Sequence, residues 1–460
     1  MVELKTSYDL ACERMIASRY KEEEEKKSFD FIPVPEFEGR EDKTIESVGN
    51  TDEIKNDREK YMDKTPSTIK VQEPIRINFD DKPLEAYWEG HFLDYGGFAR
   101  MNRTFVFGLS NRNVRVKINI VPHVVQVNKS TQNELHLLER NEISDSAPKI
   151  FGVTVPTNCI GHSGKKILYT MMETSNTLHK DYREKLNLFD EIWIPTNYGK
   201  KILEQNNIFP SKYVMPLGVD VGRYNTKSGT MSLGRNNRGF KFLSVFKWSY
   251  RKGIDILLKA YLEEFGGDED VSLILVSRPI DNSNNIASDF NGIRQTVSKS
   301  DSELPHICLY SKPVHERDMP KVYNSCNAFV LISRGEGMGL PFLEAGSTGL
   351  PIIASNCSGH SDFLNNDNSY LVEPEGYIKA EIGGQMSKMA KLCRFYEGQM
   401  FPNFEEGAVQ ETRQHMRYVY ENYEKAKVKA DKFKNLVTEE YTWDMAIDKA
   451  YNRIKEIERG

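Results

Sequence analysis

From about residue 79 onward, short apolar runs alternate with stretches of helical periodicity, the pattern of βαβ units around parallel sheets. LEAYWEGHFL reads as a first strand, followed by the turn DYGGFAR. The helical MNRTFVFGLSNRN, with Phe105 and Leu109 among its apolar positions, leads to the strand VRVKINIV. KILYTMM and EIWIP are strand-like and flank the helical SNTLHKDYREKLNLF, and YVMPLGV closes this half. A polar, Gly-rich segment from Asn225 to Gly239 then interrupts the pattern. Beyond it the alternation resumes: FKFLSVF, VSLILVS, ICLY, AFVLIS and PIIAS as strands, GIDILLKAYLEEF, MPKVYNSC and LPFLEAGSTG as helices. After about residue 400 the pattern predicts helices and no further strands. The expected architecture is α/β: two Rossmann-like domains facing across a cleft, at 79–235 and 236–400, with C-terminal helices over 401–460 returning to the first. Open α/β sheets bind ligands at the carboxyl ends of their strands, so such a cleft can hold two substrates face to face.

Residues 1–78 form a charged N-terminal extension. KEEEEKK (Lys21 to Lys27) and the run EDKTIESVGNTDEIKNDREKYMDKTP carry dense mixed charge, which favours solvated helix or disorder over a packed core. Only Leu4, Tyr8, Ala11 and Met15 recur at helical spacing there. The whole chain has 460 residues, enough for two or three domains, each with its own core. With 62 Lys+Arg against 67 Asp+Glu its formal charge is -5, which supplies no strong field for nucleic acid or anionic lipid. No apolar run approaches the roughly 20 residues that span a bilayer, and the N-terminus is not that of a signal peptide. We expect a cytoplasmic protein without a transmembrane segment, which leaves room for peripheral membrane contact. Cys12, Cys159, Cys308, Cys326, Cys357 and Cys393 lack CxxC spacing, so reduced thiols are expected and neither a disulfide framework nor a zinc site is.

The densest chemistry lies in ISRGEGMGLPFLEAGSTGLPIIAS, Ile332 to Ser355. A strand runs into a turn with Gly335, Gly337 and Gly339, and a helix begins near Pro341, a favourable first-turn residue. Backbone N–H groups at such a helix start form an anion site. Glu336 lies in the turn and Glu344 eight positions on, about two turns up the helix; two carboxylates on one side of a cleft suit bidentate bonding to the vicinal hydroxyls of a sugar or ribose. The plain alternative is a solvated Glu344 and glycines that only make a turn. Against it stands FKWSYRKGIDILLKAY, where Lys247, Arg251 and Lys252 crowd a strand-to-helix loop ending in Gly253, a place for a diphosphate.

Glu336 and Glu344, seven residues between them inside GEGMGLPFLEA, resemble the E-x7-E motif of the family 4 retaining glycosyltransferases, which have the GT-B fold. The resemblance extends over roughly residues 80 to 455. VFKWSYRKGIDILLKAY looks like the family's phosphate-binding segment, with Lys247 where Arg is usual and Lys252 matching the family's lysine. IWIPTNYGKKIL, PLGVD (Pro216 to Asp220), MPKVYNSCNAFVLISRGEG and the terminal YTWDMAIDKA, similar to the helix that crosses back onto the first domain, match in order and spacing. The resemblance implies that Glu344 holds the donor ribose, and that Glu336 with the amides of Gly337, Met338, Gly339 and Leu340 holds the donor sugar. Lys247 and Lys252, beside Arg251, would bind the diphosphate and offset charge on the leaving group. Tyr95-Gly96-Gly97-Phe98 resembles the glycine loop after the first strand, where small residues let phosphate and acceptor approach the backbone.

Many members carry a histidine that contacts the donor sugar; here the corresponding run is YTMMETS, with Glu173 nearest that position. His91, His123 and His179 read as structural or surface residues. Asp268-Glu269-Asp270 has the D-x-D form of a metal-binding signature, but it precedes VSLILVS and so lies at the amino end of a strand, away from the cleft. Ser361-Asp362 is expected to border the donor site, and Gly359 to serve a turn. The implied function is metal-free, cofactor-free, retaining transfer of a hexose-type sugar from a nucleotide diphosphate sugar to an acceptor hydroxyl on a glycan or glycoconjugate. Front-side displacement, the family's usual mechanism, uses no protein nucleophile. Alternatives are a phosphorylase or nucleotide-sugar epimerase on the same fold, or a catalytically silent subunit that binds nucleotide sugar or a partner. Oligomeric state is not legible.

Overall fold

The structure is a computed structural model that describes residues 82–121, 125–154, 163–175, 177–233, 239–279, 286–311, 314–380 and 398–459. The charged extension, His123, Cys12, Cys159 and Cys393 lie outside the described residues. The first half is a six-stranded sheet of β1 (Leu84–Gly90), β2 (Val114–Ile120), β3 (Lys149–Gly152), β4 (Lys166–Tyr169), β5 (Glu191–Ile194) and β6 (Ser211–Val214). Every pairing in it is parallel, in the order β2-β1-β3-β4-β5-β6. The second half holds β7 (Phe240–Trp248), β8 (Val271–Pro279), β9 (His306–Tyr310), β10 (Ala328–Leu331), β11 (Ile352–Ser355) and β12 (Tyr370–Val372), again all parallel, in the order β12-β11-β10-β7-β8-β9. The runs AFVL and IIAS are buried at every position because helices cover both faces of a parallel sheet.

Strand order places the site. In the second sheet the chain runs outward from β7 to β9, then returns to lay β10 against the other side of β7. The loops after β7 and β10 therefore diverge at a topological switch point, where a crevice opens at the carboxyl ends of the strands. In the first sheet β1 is flanked by β2 and β3, and the loop after β1 faces that crevice from the opposite side.

The halves are tied where the chain crosses between them twice. Val219 bridges Thr442, with Val219 N–H donating to Tyr441 at 2.9 Å. Gly218 is needed there, since a Cβ would stand 2.2 Å from the Thr442 carbonyl carbon. The final helix, Trp443–Arg459, then lies on the helix Gly97–Ser110: Trp443 meets Phe105 edge-on at 5.9 Å, and Ile447 packs over Gly108.

Three expectations need correction. Met400–Asn403 is a strand, β14, antiparallel to β13 (Gly376–Lys379); Pro402 and Gly376 hide it from pattern reading, since both are poor strand residues. The glycine pair of DYGGFAR does not all belong to the turn, because the helix starts at Gly97 and includes Arg100. The helix expected over SNTLHKDYREKLNLF shrinks to Lys180–Leu186, capped by His179, whose Nδ1 accepts from the Asp181 N–H at 3.3 Å.

Candidate active site

The β7 loop carries the cations. Tyr250–Lys252 form a single 3-10 turn, and Gly253 follows with φ of 65°, which starts the helix Ile254–Glu264. A Cβ on Gly253 would sit 1.7 Å from the Ile332 carbonyl, so only glycine lets the two switch-point loops approach this closely. Lys252 Nζ lies 2.5 Å from Glu336 Oε1. Arg251 donates to the Gly335 carbonyl and lies 3.2 Å from Glu173 of the first half. Lys247, near the end of β7, faces the loop after β1, and a Cβ on Gly96 would lie 3.7 Å from its Nζ. Gly96 itself donates to Asp94 at 2.5 Å. Gly97 opens the following helix into free space.

Burial and the local charges act together on this cluster. Desolvation in the cleft, then the neighbouring Arg278, push the Lys247 ammonium below lysine's usual value although the residue as a whole reaches solvent. Burial likewise lowers Lys252, against the pull of Glu336. Burial works against the charge of Glu336, yet Lys252 and Arg251 hold its carboxyl below the ordinary range. The cations thus favour the charged form of Glu336, while burial works against the charge of both lysines.

Glu344 departs from expectation in its place on the helix, and the solvated alternative does not hold. The helix begins at Leu340, after Gly339 with φ of 96°, so Glu344 stands about one turn up it, not two. It is also buried, bonded to Arg100 of the first half and accepting from the Tyr323 hydroxyl at 2.7 Å. Arg100 was not singled out in the sequence. Burial opposes its charge, but Glu344 and then Tyr224 and Glu316 outweigh that and raise its pKa. One signal was available: a cation in the first turn of a helix has the wrong sign for the macrodipole, which marks a partner elsewhere.

The remaining site positions converge on the turn after β10. Gly337 accepts from Thr196 Oγ1 at 3.4 Å and packs on Met171, so that a Cβ would lie 2.7 Å from the Met171 Cβ. Met338 is buried, its sulfur 3.0 Å from the Leu217 N–H. Gly335 touches the Glu173 carbonyl, which brings the YTMMETS run onto the site. Gly359 does more than turn the chain: it donates to the Glu336 carbonyl at 3.0 Å, and a Cβ there would meet the Gly337 carbonyl at 2.4 Å. Asp362 bonds instead to the N–H groups of Asn197 and Tyr198, at 2.5 and 3.1 Å, and clamps a first-half helix start. At the amino end of β8, Glu269 is paired with Arg417 at 2.6 Å and Asp270 accepts from Gly239 at 2.7 Å. Asp268-Glu269-Asp270 is accordingly remote from the cleft.

His360, also missed in the sequence, is fully buried beneath the turn. Its Nε2 donates to the Ser355 carbonyl at 2.7 Å, and its ring lies 4.6 Å from that of Phe342. Desolvation dominates and lowers its pKa to about 4. The unfolded chain binds this proton near the ordinary value of about 6.5, so stability is complete above that pH and falls as pH drops from there toward 4. The full loss is on the order of 3 kcal/mol. His360→Asn is expected to flatten this part of the pH–stability curve, as read by urea unfolding between pH 4 and 7.

Comparison with known proteins now bears on this arrangement. Similar solved structures include Anabaena HepE in complex with UDP and glucose, with TM-score 0.56, 11% identity, and coverage of 81% of this chain and 100% of that one. Sucrose-phosphate synthase from Thermosynechococcus elongatus gives TM-score 0.59 at 11% identity, over 82% of this chain and 99% of that one.

The fold is GT-B.

Residues 238–388, which hold the second-half site loops, match the family model described as Glycosyl transferases group 1. Among curated proteins, the UDP-Gal:alpha-D-GlcNAc-diphosphoundecaprenol alpha-1,3-galactosyltransferase of Escherichia coli is 44% identical over 85 residues, 17% of this chain and 22% of that protein. The alpha-monoglucosyldiacylglycerol synthase of Streptococcus pneumoniae is 22% identical over 188 residues, 38% of this chain and 39% of that protein. The chain thus matches well under half the length of either relative. Among the described residues no helix is long and apolar enough to cross a membrane.

Proposed function

We propose that the chain is a family 4, E-x7-E glycosyltransferase that moves a hexose-type sugar from a nucleotide diphosphate sugar to a hydroxyl of a glycan or glycoconjugate, with retention and without a metal. The observation that carries this reading is the gathering of three cations at the switch point of the second sheet: Lys252 pairs with Glu336, Arg251 with Glu173 of the first half, and Lys247 faces Gly96 in the loop after β1. The cations would hold the diphosphate and offset the charge that grows as the bond from sugar C1 to phosphate breaks. Glu344 would take the ribose hydroxyls once Arg100 gives way. Glu336 and the backbone of Gly337 to Leu340 would hold the sugar, with Glu173 reaching it from the first half. The acceptor oxygen would attack C1 from the leaving-group face and pass its proton to the departing phosphate, so no protein nucleophile is assigned. The two curated relatives are named for galactosyl transfer to a lipid-linked sugar and for glucolipid synthesis, which supports a glycoconjugate acceptor.

The test is incubation with UDP-, GDP- and ADP-linked hexoses, following release of the nucleotide and the anomeric configuration of the product by NMR. We expect release with one of these donors, an α product from an α donor, and an unchanged rate in EDTA. A β product, or loss of the reaction in EDTA, would overturn the retaining or the metal-free part respectively; no release with any donor would overturn the activity.

A further inference from the structure

Arg334 lies two residues before Glu336 and has no part in the site as read so far. It is fully buried. Its guanidinium donates to both carboxylate oxygens of Asp255, each at 2.8 Å, and to the Tyr250 carbonyl at 2.9 Å. The same group lies over the Tyr250 ring, 3.8 Å from its centroid. Its backbone N–H donates to the Arg251 carbonyl at 2.7 Å, which the Ser333 hydroxyl joins at 3.3 Å. The β10 loop therefore grips the main chain of the two residues that precede Lys252, and grips the first turn of the helix behind them through Asp255.

Stability alone is a poor reason for this arrangement. Arg334 is stripped of water while Asp255 stays partly exposed, and an ion pair with a buried member is commonly no better for stability than apolar residues of the same volume, because the buried charge loses its hydration. Here Nε also stays buried without a hydrogen-bond partner, a further cost. What a planar, forked cation does supply is direction: it fixes a carboxylate, a carbonyl and an aromatic face in one geometry, which lysine cannot do.

We propose that Arg334 is a positioning residue whose fork on Asp255 and Tyr250 sets the turn Tyr250–Lys252, so that Arg251 and Lys252 stand preformed for a nucleoside diphosphate. This rests on reading that turn as the diphosphate site. A preformed pair of cations binds the second phosphate without first paying to order the loop. Loosening the clamp should then cost the second phosphate selectively and leave recognition of the nucleoside intact.

The experiment is calorimetric titration of the full chain with UDP and UMP, or with the GDP and ADP series where those bind better, for wild type, Arg334→Lys, Asp255→Asn and the double variant. Thermal unfolding checks that each is folded, and Asp255→Asn, the milder change, carries the test should Arg334→Lys fail to fold. Wild type should prefer the diphosphate. In either variant that preference should fall by about tenfold or more, the scale of one charge-assisted hydrogen bond, while monophosphate affinity stays within about threefold. The double variant should resemble the worse single one, since both act on one clamp. A preserved diphosphate preference in a folded variant overturns the role of Arg334. A wild type that binds neither nucleotide, or both equally, instead overturns the site reading on which it rests.

Discussion

Lys252→Ala is expected to lower kcat/KM for the nucleotide sugar by about 10²–10³-fold, the usual loss when one preorganised electrostatic partner of a developing charge is removed. The same change should destabilise the fold. Glu336 is buried, and its carboxylate lies 2.5 Å from the Lys252 ammonium. Removing one member of a buried pair costs about 3–5 kcal/mol, because the other charge is left behind. Arg251, whose field also favours the Glu336 carboxylate, should keep the loss near the lower end. The two effects separate in the double variant Lys252→Ala/Glu336→Gln, in which no ion is stranded. Its melting temperature should recover most of the way while activity does not return. Recovery of both would mean that Lys252 serves the fold and not the reaction; steady-state kinetics and thermal unfolding of the four proteins decide between these outcomes.

Arg453→Leu is expected to produce the largest loss of stability, about 3–5 kcal/mol. Its target is Glu191, fully buried at the start of β5. Arg453 reaches Glu191 from the returning helix with Nε and Nη2 at 2.9 and 2.7 Å, and Trp193 Nε1 donates to the same carboxylate at 2.7 Å. Lys165, at 3.3 Å, is the other cation nearby. Without Arg453 that carboxylate keeps one neutral donor and a partly exposed lysine. Arg453→Leu/Glu191→Leu, which removes both ions, should regain much of the stability in urea unfolding. If Arg453→Leu instead falls within about 1 kcal/mol of wild type, the final helix is not held to the first sheet by this pair.

Much of the second half was legible because central parallel strands are apolar on both faces, so AFVL and IIAS stand out from the helices beside them. The two site loops were legible too, since glycines, cations and carboxylates cluster within short stretches of chain. What escaped the sequence shares a physical cause. Arg100 meets Glu344 across 244 residues, and Arg334 meets Asp255 across 79, distances over which no local periodicity carries information. β3, KIFG, is four residues long and begins with a lysine, too short for an alternation to register. The enclosure of Glu344 escaped for the same reason as Arg100: the residues that close over its carboxylate, Arg100 and Tyr323, come from other elements of the fold.

The central claim is that Glu344 and the Arg251–Lys252 turn form one nucleotide-diphosphate site. It is tested most directly by a crystal structure of the full chain with the nucleoside diphosphate that binds it in solution. The expected density places ribose hydroxyls on Glu344, with Arg100 moved off that carboxylate, and phosphate oxygens on Arg251 and Lys252. A nucleotide bound elsewhere, with the Arg100–Glu344 and Lys252–Glu336 pairs intact, would contradict it.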